Sequence, residues 1–239
     1  MHDYNTLKEL IAIDSPTGYT KNASNYIFNL LRSYGYNPEY TNKGAVKCTL
    51  GDTPTLAIAG HVDTLGAIVS GIKPNGTLAF SLLGGLSLTG AEGEYVKIIT
   101  HEGIEFTGTI LLDNPSVHAN NNKEKTKRTT SSMHIRLDSE VYSEDDTRKI
   151  GIDVGDIVCV DVKYQELSNG FIKSRFLDNK AGCFVLFELA RKLKEEGKEL
   201  PVEIFFSNYE EVGHGGTCGY SNSIEELLVI DMGVLGDTC

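Results

Sequence analysis

Apolar residues recur at helical spacing from the start of the chain. Leu7, Leu10 and Ile11 form a short face that stops before Ser15-Pro16, and Ala23, Ile27, Leu30, Leu31 and Tyr34 form a longer one closed by Gly35. The pattern then shortens to strands at 45–50 and 55–59. The second of these, TLAIAG, is an uninterrupted apolar run of the kind a strand covered on both faces requires. Between about Gly66 and Gly170 the texture is Gly-rich with short alternating pieces, including EYVKIITHEGIEFTGTILLD, two strands joined at Glu102-Gly103. A short helix is expected in SEDDTRKIG, capped by Ser143, and another strand in GDIVCVDV. Helical spacing returns at 179–196 through Cys183, Phe184, Phe187, Ala190 and Leu193, with Gly197 past its end and Asp178 at the N-cap position. The apolar runs around Val202, Ile204, Phe205 and Phe206, and LLVI before Asp231, complete the alternation. The pattern predicts an α/β core of residues 1–65 and 171–239, split by an inserted β-rich domain at 66–170.

Composition narrows the class. A 239-residue chain with 40% hydrophobic residues can bury a real core. A net charge of −11 argues against binding nucleic acid, which needs clustered Lys and Arg. The one basic run, Lys123, Lys125, Lys127 and Arg128, has no interleaved aromatic residues and reads as a solvated loop. No apolar run approaches the ~20 residues that span a bilayer, so no membrane role is expected. The five cysteines, Cys48, Cys159, Cys183, Cys218 and Cys239, lack C-x-x-C spacing, and MHDYNTLKELIAI does not read as an export signal. A cytoplasmic location follows, and thiolate zinc sites are disfavoured.

The candidate chemistry lies where apolar runs meet acids. His61 follows TLAIAG, with Asp63 two residues on, so that a carboxylate could hold one imidazole nitrogen while the other binds metal. Glu210 and Glu211 follow a buried run, where one could bind a cation and the other handle a proton. Each also has a plainer reading. Asp178 would serve as a helix cap, His61 as a structural histidine, and the Glu pair as a charged strand end meeting water.

Taken together and in order, HVDTLG, SRFLDNKAG, YEEVGHGG and VIDMGVLGDT resemble the M42 family of metallo-aminopeptidases, which includes glutamyl aminopeptidases and TET peptidases. The resemblance covers essentially the whole chain. It implies a mixed-sheet, phosphorylase/hydrolase-like co-catalytic metallopeptidase core with a small inserted domain that contains the SVH and GIDVGD segments. It also implies two divalent cations, zinc or cobalt, bridged by Asp178. His61 and Asp231 would complete one metal, Glu211 would join the second, Glu210 would be the general base, and Asp63 would orient His61.

The implied reaction removes N-terminal residues from short peptides, and the implied assembly is a homo-oligomer built through the insertion. Members of the family continue beyond the GDT segment and supply a further His to the second metal, whereas this chain stops at Cys239. The resemblance therefore implies a second site that is weak or empty, at most about one zinc per chain, and little peptidase activity from the 239-residue form. Of the remaining histidines, His2, His101, His118 and His134 read as structural or exposed, and His214 as a possible substrate contact. Two other functions use similar sequence features: a deacylase or carboxypeptidase with the same ligands, and a catalytically inactive assembly subunit.

Overall fold

The computed structural model describes residues 4–236. In chain order, α1 (Asn5–Ala12), α2 (Lys21–Ser33), β1 (Glu39–Tyr40), β2 (Val46–Thr49) and β3 (Leu56–His61) come first. Next are β4 (Gly66–Ile72), β5 (Leu78–Leu83), α3 (Leu88–Ala91), β6 (Tyr95–Ile99), β7 (Glu105–Leu112), β8 (Met133–Leu137), α4 (Glu144–Lys149) and β9 (Ile157–Val160). The chain ends with β10 (Gln165–Glu166), β11 (Ile172–Lys173), α5 (Leu177–Glu195), β12 (Val202–Ser207) and β13 (Glu226–Val229). None of the described helices is long and apolar enough to cross a membrane.

The chain divides into two compact units, residues 1–64 with 162–239, and residues 65–161. The second boundary falls at Val162 rather than at 171. The reason is local: Val162 accepts the Arg175 N–H and the Ser174 hydroxyl, and β10 pairs with β11, so 162–170 is tied to the chain that follows it.

In the first unit a mixed five-stranded sheet has the order β1-β2-β12-β3-β13. β12 and β13 run parallel to β3, whereas β2 runs antiparallel to β12. The long apolar runs occupy the middle, where burial on both faces removes the need for alternation. Every residue of β12 is buried. On one face α5 packs Cys183, Leu186, Phe187, Ala190 and Leu193 against Val202, Ile204 and Phe206, with the Phe187 and Phe206 rings stacked at 5.1 Å. Leu186 belongs to this face; Phe184 is half-buried beside Tyr4. The Lys180 side chain is buried and donates to the carbonyls of Leu10 (3.0 Å), which also accepts the Ile13 N–H, and Ile13 (2.6 Å), tying α5 to the end of α1. β13 lies at the sheet edge, and its apolar residues Leu227, Leu228 and Val229 are exposed.

In the second unit β4-β5-β8-β7-β6-β9 close into a barrel. Its interior takes alternate residues such as Val69, Phe80, Ile98, Ile110, Ile135 and Val158, all buried. A closed ladder has no free edge, so subunit contacts through this unit would use its loops and outer surface instead of open strands. α4 begins as expected, the Ser143 hydroxyl accepting the Asp146 N–H at 3.2 Å. The basic loop also differs from a wholly solvated one. Arg128 donates to Glu92 at 2.8 Å and to the carbonyls of Lys123 and Thr126, folding the loop onto its own unit.

Candidate active site

The site forms in the first unit where β3 and β12 end side by side, Ser207 pairing with His61. His61 is the last residue of β3 and is buried, as is Asp63. Its Nδ1 lies 3.0 Å from the Asp63 main-chain carbonyl. A carbonyl only accepts, so Nδ1 carries a proton and Nε2 is the nitrogen that faces the site. Nε2 lies 3.1 Å from Asp178 Oδ1 and 3.7 Å from Glu210 Oε2; a carboxylate also only accepts, so in the metal-free protein Nε2 is protonated and donates to Asp178.

The orienting role expected of the Asp63 carboxylate is therefore carried by its backbone. Its Oδ1 is 3.6 Å from the ring. The carboxylate instead accepts the Thr17 hydroxyl (2.7 Å) and the N–H groups of Glu210 (3.1 Å) and Glu211 (3.2 Å). Asp63 thus pins the turn that carries both glutamates. Thr17 reaches it because Ser15–Thr17 runs beside Val62–Thr64: Thr64 N–H donates to Ser15, Thr17 N–H to Thr64, and the Ser15 hydroxyl to Val62.

Glu210 and Glu211 do not alternate along an extended strand. β12 stops at Ser207, and Glu210–Val212 form a 3-10 turn closed by Gly213 at φ +81°, a left-handed conformation that favours glycine.

Asp178 is not the cap of α5 either. It and Asn179 have non-helical backbone angles. The Asn179 side chain takes the capping role, its Oδ1 accepting the Gly182 N–H at 3.1 Å, while its Nδ2 donates to the Ile230 carbonyl at 2.7 Å. Two results follow. The Asp178 carboxylate is left for the site, and the chain entering Asp231 is tied to the start of α5. Phe176, just upstream, is held at φ +60°, a left-handed conformation that costs a non-glycine residue roughly 1–3 kcal/mol.

His61, Asp178 and Asp231 each offer a ligand atom, all within 4.8 Å of one another. Glu211 does not join this group among the described residues. An imidazole whose Nε2 can exchange its proton for a metal, together with two carboxylates, is a donor set that suits a divalent cation of the zinc or cobalt type. The acidic surroundings fit the same conclusion. Burial opposes a charge on His61, yet Asp63 and Glu210 outweigh it and raise the imidazole to about 9. Burial pushes Glu211 up to about 7; His61 works against this, and Asp178, Asp63 and Glu210 reinforce it. In the metal-free protein the cluster holds protons where a cation would otherwise sit.

A cleft of about 320 Å³ opens beside these groups, with Tyr220, Leu227 and Val229 on its apolar side and Glu210 and Asp231 on its polar one. His214 is exposed and does not line this cleft; its N–H bonds to the Tyr209 carbonyl. His101 and His118 are exposed, and His134 bonds to Asp113 at 2.9 Å. His2 and Cys239 lie outside the described residues. Sequence reasoning passed over Thr17 and Asn179. Asn179 had a local signal, an Asn three residues before a glycine at the head of a helix; Thr17 reaches Asp63 across 46 residues and had none.

A sequence profile described as M42 glutamyl aminopeptidase matches residues 44–239. The putative aminopeptidase YhfE of Bacillus subtilis (strain 168) is 42% identical over 97% of this chain and 68% of its own length. The glutamyl aminopeptidase of Lactococcus lactis subsp. cremoris (strain MG1363) is 26% identical over 90% of this chain and 62% of its own. Among solved structures, the TET aminopeptidase from the marine sediment archaeon Thaumarchaeota archaeon SCGC AB-539-E09 superimposes with a TM-score of 0.86 at 26% identity, covering 97% of this chain and 66% of that one. The chain thus spans about two thirds of the length of the proteins it matches.

Proposed function

The chain belongs to the M42 glutamyl aminopeptidase family, and from that membership we propose that it is a metal-dependent aminopeptidase removing N-terminal residues from short peptides. One observation carries the reading: the His61 imidazole and the Asp178 and Asp231 carboxylates converge at the mouth of a cleft that a further carboxylate, Glu210, also lines from outside that group. A divalent cation is implied by the family, and His61, Asp178 and Asp231 would hold it. When bound, it supplies Lewis-acid stabilisation of developing negative charge and makes water a better nucleophile near neutral pH.

The protein's own groups do the rest. Glu210, half-exposed at the cleft and fixed by its N–H bond to Asp63, takes a proton from the attacking water and returns it to the leaving amine. Asp63 acts as a positioning residue, holding His61 through its carbonyl and the Glu210–Glu211 turn through its carboxylate. Asn179 keeps Asp178 and Asp231 in register. Glu211 lies outside the three-donor group, so in this reading a second cation is held more weakly than the first.

A carboxypeptidase or acyl-amino-acid deacylase would use the same ligands, so family membership, rather than the acidity of the site, favours the aminopeptidase reading. The reading sets the reaction in the cytoplasm, in keeping with Cys48, Cys183 and Cys218 forming no disulfide, and includes self-association through the inserted unit.

The test uses protein freed of metal and reloaded with zinc or cobalt. Aminoacyl p-nitroanilides should be cleaved and their N-acetylated forms left intact. Preference for the N-acetylated substrates would overturn the aminopeptidase reading, and no turnover with stoichiometric metal bound would favour an inactive subunit.

A further inference from the structure

A second cavity in the first unit, about 410 Å³, lies at the N-terminus of α2. The charged side chains in its lining are Lys21 and Lys43, both cationic, in a chain with 33 acidic and 22 basic residues. The helix end itself adds to this positive character. Its first turn contains no acid, and no side chain caps it. Thr20 stands at the cap position, but its hydroxyl accepts from Asn208 at 3.3 Å instead of from the helix. The leading N–H groups and the positive end of the dipole therefore face outward without an anionic partner. α4 handles the same problem with a Ser143 cap followed by Glu144, Asp145 and Asp146.

An independent feature lies in the same lining. Ser24 is 2% exposed, and its hydroxyl has no hydrogen-bond partner among the described residues. Buried hydroxyls are as a rule bonded, so this one marks a place where a non-protein acceptor belongs. The surrounding wall is already ordered. Asn208 donates to the Lys43 carbonyl at 2.7 Å as well as to Thr20, which ties the 41–44 loop to the helix start, and the Lys43 ammonium lies 5.7 Å from the centre of the Tyr209 ring.

We propose that this cavity is a binding site for a small oxyanion, a phosphate or a carboxylate group. The Lys21 N–H at the helix start and the Ser24 hydroxyl donate to it, and the Lys21 and Lys43 ammonium groups neutralise it. Every group offered is a donor or a cation, which selects an acceptor-rich anion over a neutral ligand. Asn208 and Tyr209 form part of the wall and lead directly into Glu210, so occupation of the site stiffens the chain entering the catalytic turn. The site is separate from the acidic cluster around His61 and does not depend on the function assigned to that cluster.

The test titrates the metal-free 239-residue chain in chloride buffer with inorganic phosphate and, separately, with acetate, following backbone amide shifts. Saturable shifts of Lys21 to Ser24 and of Lys43 and Gly44 are expected, with a dissociation constant on the order of 1 mM that weakens as salt is raised. A much tighter phosphate curve identifies a phosphoryl group as the natural occupant, and a tighter acetate curve identifies a carboxylate. Lys21→Ala with Lys43→Ala should weaken binding about tenfold, and Ser24→Ala by a few fold. The wild-type titration decides the matter whether or not these variants fold: absence of saturation at the helix start, or shifts confined to other regions, overturns the proposal.

Discussion

Gly182→Ala tests whether Asn179 organises the candidate metal site. A Cβ at Gly182 would lie 2.1 Å from Asn179 Oδ1 and 2.9 Å from its Cγ, inside any allowed contact. Asn179 is buried, so its side chain must leave the position from which it bonds Gly182 N–H and the Ile230 carbonyl. Loss of the cap costs about 0.5–2 kcal/mol. The Ile230 carbonyl, left unsatisfied, costs about 1–3 kcal/mol. Overpacking adds about 1–3 kcal/mol, and the better helix propensity of alanine returns about 1 kcal/mol. The expected penalty is roughly 3–5 kcal/mol, a large part of a typical domain's 5–15 kcal/mol. Asn179→Ala removes the two bonds without the clash and should cost roughly 2–4 kcal/mol. The double variant has nothing left to clash, so it should be about as stable as Asn179→Ala and clearly more stable than Gly182→Ala. Urea unfolding followed by far-ultraviolet circular dichroism measures this well, because most of the helical signal comes from α1, α2 and α5. Both single variants should also bind zinc more weakly, since Asp178 and Asp231 adjoin the broken bonds. Strictly additive penalties, or a Gly182→Ala protein within ~0.5 kcal/mol of wild type, would refute the argument.

Three further outcomes are expected. Glu210→Gln should retain zinc, measured by calorimetry, while turnover of an aminoacyl p-nitroanilide falls ~10²–10⁴-fold; near-normal turnover would remove Glu210 as the base. Lys180→Met should destabilise the fold by roughly 1–3 kcal/mol, because the Leu10 and Ile13 carbonyls lose a buried donor; an unchanged urea midpoint would contradict this. The metal-free protein should become less stable between about pH 4.5 and pH 9. His61 rises from 6.5 to about 9 and Glu211 from 4.5 to about 7, so the folded state binds these protons more tightly than the unfolded one, and that advantage is lost as pH climbs. Zinc, replacing the protons, should flatten the decline, and a metal-free melting temperature that rises with pH across this window would show the sign to be wrong.

Much of the architecture is written locally. The faces of α1 and α2, the continuous apolar runs of β3 and β12, and the Ser143 cap of α4 each follow from neighbouring residues, because period, propensity and capping act over a few positions. The motifs around His61, Asp178, Glu210 and Asp231 were visible for the same reason. Their arrangement was not. Whether Asp178 or Asn179 caps α5 depends on the Ile230 carbonyl, which reaches Asn179 only when β13 lies beside β3. Whether the Asp63 carboxylate serves His61 or the glutamate turn depends on Thr17 and on two N–H groups nearly 150 positions away. Closure of the barrel turns on the pairing of β4 with β9, and the exposure of β13 on its place at the sheet edge. Sequence states which donors exist; long-range packing and the satisfaction of buried polar groups decide which acceptor each one finds.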